Sequence, residues 1–328
     1  MTFLKNLNQR FSNSKFSYYS RGVVHSLIPT AWYRGRLPGI LQSLDRREDK
    51  EDILRRVDYC CKLTESTPLP LSCPVIGDFK KRTAKMGSVY FYDAKELVHY
   101  FKPSFRWNYI HGDNIDIPSV PSIVKSRPIA DDNGNAVLLK LNKVRHFAFA
   151  DDPYSFREKK DMMIFRGKLR GLFRRRWFFE RYFGHPLFNL GDTAHSKVNY
   201  PTPPDWWVDR MPKQQQMEYK FILSLEGYDV ASNLKWIMAS NSVAVMPPPM
   251  YETWFMEGTL VPDYHYICIR PDYADVEEKI THYIAHPEEA EEIIRHAHEF
   301  VSPFLDSECE RLVNLLVLRK YFEMTGQE

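Results

Sequence analysis

No stretch of this 328-residue chain approaches the roughly 18 consecutive apolar residues that a membrane-spanning helix requires. The first residues also lack the apolar block of a secretory signal. The expectation is a protein kept in the cytoplasm, in solution or peripheral on the inner face of the cytoplasmic membrane. Cysteine is scarce. Cys60, Cys61, Cys73, Cys268 and Cys309 make an odd count without zinc spacing. Reduced thiols fit that pattern and a disulfide framework does not. No Asp-x-Asp occurs, the spacing that commonly turns two carboxylates toward Mg²⁺ or Mn²⁺. Asp131-Asp132 and Asp151-Asp152 read as turn residues. Internal repeats and low-complexity tracts are absent. A net charge of only +3 makes no case for a nucleic-acid partner.

What is present is enough to fold. Apolar residues make up 44% and charged residues 27%, so a sizeable core forms and wholesale disorder is excluded. The length suits two domains of ordinary size. The spacing predicts helices and strands in alternation, hence an α/β protein. Its segments divide into a basic, helical start at 1–66, a first α/β domain at 67–155, a second at 156–304 and a closing helix at 305–328.

The most informative stretch is 219–270. A short apolar run at 221–225 reads as a strand, and Gly227 breaks it. Asp229 or Ser232 can cap a helix over 230–240, where Leu234, Ile237 and Met238 keep helical spacing. Residues 242–246 form a second strand. Pro247, Pro248 and Pro249 then force the chain out of the sheet toward a short helix and a last strand. Strand, helix and strand with short links make a βαβ unit. In open α/β sheets ligands sit beyond the carboxyl ends of the strands, beside helix N-termini. Free N–H groups there suit a phosphate. Here those places are 227–233 and 247–257.

Elsewhere the pattern predicts helices at 45–63, 93–100 (capped by Asp93), 174–183, 211–219, 275–286, 288–300 and 308–324. Strands are expected at 89–92, 107–111, 122–124, 136–141 and 162–165, with Asp132-Asn133-Gly134 as a hairpin turn. Before Asp45 the chain carries bases but no acid, interleaved with aromatics such as Phe3, Phe11, Tyr18, Trp32 and Tyr33. That composition suits an anionic membrane surface or an arm packed on the body. A second basic stretch runs from Arg157 to Arg181.

Two α/β halves, one with a phosphate-ready helix, suggest a nucleotide-linked ligand in a cleft. Arg166-Gly167 follows a strand: arginine forks onto diphosphate oxygens and glycine admits the backbone. Lys235 adds charge on the helix after Gly227. Glu252 or Glu257 would meet ribose hydroxyls. Tyr251, Trp254 and Tyr266 are candidates to flank a base or sugar. With no acidic pair for a metal, basic groups and a helix end would neutralise the diphosphate. Asp113, in Tyr109-Ile110-His111-Gly112-Asp113, could take a proton from an acceptor hydroxyl, and His111 is the alternative base.

These residues resemble glycosyltransferase family 90, which holds bacterial lipopolysaccharide-modifying glycosyltransferases, fungal capsule xylosyltransferases and animal protein O-glucosyltransferases. The resemblance spans about residues 56–322. It is carried by YKFILSLEGYDVASNLKWIMASNSVAVMPPPMYETWF, LVPDYHYICIR, PSIVKSRPI, NAVLLKLNKVRHF and DMMIFRG. Lys125-Ser126-Arg127-Pro128-Ile129 and Lys143-Val144-Arg145-His146-Phe147 place it nearest the bacterial branch.

The resemblance implies a GT-B architecture, two Rossmann-like domains facing across a cleft with the nucleotide on the C-terminal one. It implies a UDP-sugar donor (UDP-glucose or UDP-galactose), no metal or other cofactor, and inversion at the anomeric carbon. The acceptor implied is a lipopolysaccharide core or related lipooligosaccharide glycan. Asp113 matches the family's catalytic aspartate. Arg166 matches the arginine of its Phe-Arg-Gly, at the diphosphate, and Lys235 a lysine after the glycine turn. Asn233 departs from the pattern, since animal members carry arginine there. Phosphate contact would then fall to Lys235, Lys125, Arg127 or Arg145. The competing reading is a non-catalytic module whose basic segments grip an anionic glycan, lipid or nucleic acid.

Overall fold

The computed structural model describes residues 15–195, 197–198 and 200–328. Phe3 and Phe11 of the basic, aromatic start lie outside the described residues. In chain order the strands are β1 (Ser122–Val124), β2 (Ser126–Pro128), β3 (Ala136–Leu138), β4 (Lys160–Gly167), β5 (Phe188–Asp192), β6 (Tyr219–Leu223), β7 (Val243–Met246), β8 (Tyr251–Thr253) and β9 (Ile267–Cys268). The fold is mixed α/β and divides into two compact units. Among the described residues no helix is long and apolar enough to cross a membrane.

The first unit holds the described residues through Ala148 together with Tyr251–Gly258 and Pro303–Glu328. Its long helices are Lys15–Leu27, Thr30–Gln42, Lys50–Cys60, Ser88–Val98 and Ser307–Met324. β1 and β3 pair in parallel, and β2 pairs antiparallel with β8, setting Arg127 opposite Glu252. Four expectations are corrected here. The strand at 89–92 is instead the first part of helix Ser88–Val98. Val, Tyr and Phe there imitate a strand, but Tyr90, Phe91, Ala94, Leu97 and Val98 fall on one buried helical face. Asp93 is therefore inside the helix, not its cap. Its carboxylate accepts from Tyr18 Oη at 2.8 Å and from the Lys143 amide at 2.9 Å.

The hairpin at 132–134 is a 3₁₀ turn into a parallel strand. Asn133 fixes that path: it accepts from Lys62 Nζ at 2.9 Å and donates to Pro128 O at 2.8 Å. The strand expected at 107–111 is only extended chain, bridged to β1 at Tyr109 and to Val75 at Arg106.

The second unit, Phe149–Met250 with Thr259–Ser302, is built on a parallel sheet in the order β5-β4-β6-β7-β9. β6 and β7 are buried at every position, as a sheet covered on both faces requires. Helices Phe173–Tyr182, Val276–Ala285 and Pro287–Val301 contribute Phe178, Phe179, Val276, Ile280, Ile293 and Ile294 to one core with Phe165, Phe221 and Val245. The β6–β7 link carries a helix, as expected, but only over Leu234–Met238. Neither Asp229 nor Ser232 caps it; Asn233 stands at that position without a side-chain cap bond. The helix at 211–219 shrinks likewise to Lys213–Gln216. After Pro249 the chain first forms β8, because Tyr251–Thr253 finds an open partner in β2, and the expected short helix follows as a 3₁₀ turn at Glu257–Thr259.

Candidate functional site

In the first unit, Ile110 N–H donates to Ile123 O at 3.0 Å, which carries the extended segment along β1. Gly112 then turns with φ +103°, a conformation a side chain would oppose. Asn114 locks the turn. Its amide donates to Ser126 Oγ at 3.1 Å, and its side-chain nitrogen donates to Asp116 O at 2.7 Å. The turn brings Asp113 to Lys125, whose Nζ meets Oδ1 at 2.5 Å. The lysine side chain is 2% exposed and the aspartate 33%. A buried ammonium thus holds a carboxylate that remains open to solvent. Asp113 Oδ2 has no hydrogen-bond partner among the described residues. His111 packs its ring beside Tyr90 and Tyr109.

The other basic candidates of this unit part company. Arg145 is exposed on the one-turn helix Lys143–His146. Arg127 is wholly buried. Its Nε donates to Glu252 Oε1 at 2.7 Å, Nη1 to Ala136 O at 2.9 Å and Nη2 to Tyr59 O at 2.7 Å. Tyr59 donates to the other Glu252 oxygen. Burial, then the Glu252 carboxylate, push the Tyr59 phenol well above its usual pKa. Glu257 is also buried, and both its oxygens bond Thr253. Arg127, Glu252 and Glu257, expected at a phosphate and a ribose, are thus engaged inside the fold, where they join β2, β8 and the helix Lys50–Cys60. Trp254 is core as well, its Nε1 donating to Glu310 at 2.7 Å.

In the second unit the candidates gather at the carboxyl ends of the parallel strands. Arg166 turns back on β5: Nη1 donates to Asn189 O at 2.8 Å and Nη2 to Asn189 Oδ1 at 2.6 Å. Burial lowers its pKa from the usual guanidinium value. Gly167 is needed for space, since a Cβ there would stand 2.7 Å from the Phe165 ring. Gly227 and Ser232 line a half-buried loop in which Gly227 N–H bonds Asp229 O at 2.9 Å. Asn233 points into the fold, donating to Leu223 O at 3.1 Å and accepting from Ser224 Oγ at 3.2 Å. Lys235 is enclosed and not solvated. Tyr266, expected to flank a base or sugar, is enclosed too.

Two residues that organise this edge escaped the sequence reading. Arg175 donates to Lys168 O at 3.0 Å, Leu225 O at 2.6 Å and Glu226 O at 3.1 Å. It thereby ties the loop after β4 to the loop after β6, and it touches the Cβ positions of both Gly167 and Gly227. Asp192 is fully buried at the end of β5. It accepts from the Leu169 and Ala194 amides at 3.3 and 2.9 Å and from Thr202 Oγ1 at 2.6 Å. An acid directly after a strand was the signal that singled out Asp113, and it applied equally to Asp192. Arg175 had no signal of its own inside Arg174-Arg175-Arg176.

The arrangement offers a positioned carboxylate in one unit and a braced set of strand-end loops in the other. Similarity to known proteins gives it a chemistry. Residues 197–324 match the family described as Glycosyl transferase family 90. The chain is 40% identical over 312 residues to the O-glucosyltransferase LpsA of Dichelobacter nodosus, covering 94% of this chain and 96% of that protein. It is 29% identical over 103 residues to the uncharacterized protein 035R of Invertebrate iridescent virus 3, covering 31% of this chain and 9% of that one. The first of these spans nearly both full lengths, and with the family match it leaves one assignment: the chain belongs to glycosyltransferase family 90 and is a glycosyltransferase.

Proposed function

We propose that the protein transfers a hexose, glucose foremost, from a UDP-sugar to a lipopolysaccharide core or related glycan, with inversion and without a metal. The observation that carries this reading is the near full-length similarity to a protein named O-glucosyltransferase LpsA. UDP-galactose is the second donor to try. The absence of Asp-x-Asp supports metal independence. The GT-B pairing of a nucleotide-bearing half with an acceptor half, at the cytoplasmic face of the membrane, belongs to the same reading. A non-catalytic module loses its support once the family is known.

In this mechanism Asp113 accepts the proton of the acceptor hydroxyl as that oxygen forms its bond to the anomeric carbon. The bond from that carbon to the diphosphate breaks on the opposite face, and UDP leaves with the electron pair. Lys125 fixes the direction of the carboxylate. Arg166, which keeps its Nε–H, the loop at 227–233 and Lys235 would meet the charge that grows on the diphosphate. Stabilising charge at the leaving group is the largest contribution expected. The test is to incubate the protein with UDP-glucose, UDP-galactose and a delipidated lipooligosaccharide acceptor in EDTA. UDP release and the anomeric signal of the product are followed. UDP release with a β-linked product is expected, since the donor is α-linked; an EDTA-sensitive reaction or a retained α-linkage contradicts the mechanism.

A further inference from the structure

The helix Phe173–Tyr182 has the sequence FRRRWFFERY. Phe178, Phe179 and Tyr182 are buried against the second unit. At about 100° per residue, Phe173, Trp177 and Glu180 then stand toward the centre of the outward face. Arg174 and Arg181 flank them on one side and Arg176 on the other. Both rings are exposed, Phe173 at 74% and Trp177 at 48%, the latter resting one side on Tyr273 at 5.6 Å. Tyr200 from the neighbouring loop lies edge-on to Phe173 at 6.2 Å and is itself 58% exposed. Between helix and loop an open pocket of about 430 Å³ is lined by Leu172, Phe173, Trp177 and Tyr200 together with Arg174, Arg176 and Glu180. Lys168 and Arg170 add exposed charge from the preceding turn.

A soluble surface rarely leaves this much aromatic area uncovered beside this much positive charge. Rings that sit at headgroup depth, flanked by arginines whose stems lie along apolar surface, are the features of a bilayer interface. We infer that this face docks the protein on an anionic phospholipid bilayer, with Phe173 and Trp177 inserted among the headgroups and the arginines on lipid phosphates. The charge balance selects the partner: Glu180 and Glu226 pair with Arg176 at 2.8 Å and Arg174 at 3.3 Å, while Lys168, Arg170 and Arg181 stand exposed beyond those two pairs. The purpose of docking rests on the reading of a membrane-borne acceptor, but the binding itself is measured without donor, acceptor or turnover.

The test is flotation of the full chain with phosphatidylcholine vesicles, with and without phosphatidylglycerol. Flotation only with the anionic vesicles, reversed by high salt, is expected. Phe173→Ala with Trp177→Ala, and separately Arg174→Gln with Arg176→Gln, should each weaken vesicle binding at least tenfold. Circular dichroism should show both variants folded. UDP release on a detergent-solubilised acceptor should stay unchanged. Three results overturn the inference. They are failure of the full chain to float, flotation of both variants like the parent, which places the contact elsewhere, and normal flotation of the variants with lost affinity for the donor, which assigns the face to the nucleotide.

Discussion

Replacing Arg127 by methionine separates a structural ion pair from a ligand contact. The guanidinium is wholly buried and donates to Glu252 at 2.7 Å, to Ala136 O at 2.9 Å and to Tyr59 O at 2.7 Å. Methionine fills much of the volume but leaves the Glu252 carboxylate, 1% exposed, with the Tyr59 hydroxyl as its remaining side-chain partner among the described residues. An uncompensated buried charge of this kind costs about 3–5 kcal/mol. Arg127→Met with Glu252→Leu removes both charges and should recover most of the loss, leaving a coupling of about 2 kcal/mol or more. Urea unfolding followed by tryptophan fluorescence reads this directly, because Trp107 and Trp254 are buried in the same unit. If Arg127→Met unfolds like the parent but no longer binds UDP, the arginine is a ligand contact and the structural reasoning fails.

Two further outcomes follow from the same geometry. Burial, then Lys95 and His25, lower the His99 pKa to about 4. The unfolded chain therefore binds more protons between about pH 6.5 and 4, and stability that is complete above 6.5 falls as the pH drops through that window. The loss at its lower end is at most ~3 kcal/mol, and in urea titrations His99→Gln should flatten the decline between neutral and mildly acidic pH. Arg175→Gln removes the tie between the loops after β4 and β6. Steady-state kinetics should show the donor KM raised about ten- to hundredfold with a smaller change in kcat; an unchanged KM would mean that those loops do not hold the donor.

Much of the second unit was legible because its strands are apolar runs bounded by Gly and Pro. β4, β6 and β7 fall where 162–165, 221–225 and 242–246 were read. The first unit was harder. Val89 to Tyr92 has strand composition inside a helix, and only packing reveals the difference. The pairing of β2 with β8 joins residues far apart in sequence, so no local pattern could show that Arg127 and Glu252 satisfy each other. Charged residues near a loop looked available for a ligand when they were engaged across the fold. Asp113 was legible because a turn after extended chain leaves a carboxylate exposed, and Gly112 marked the turn.

The central claim is that Asp113 deprotonates the acceptor. Single-turnover transfer by Asp113→Asn, with UDP affinity measured on the same sample by calorimetry, tests it most directly. The account expects transfer slowed by about 10²–10⁴-fold with UDP binding preserved. Transfer near the parent rate would contradict it.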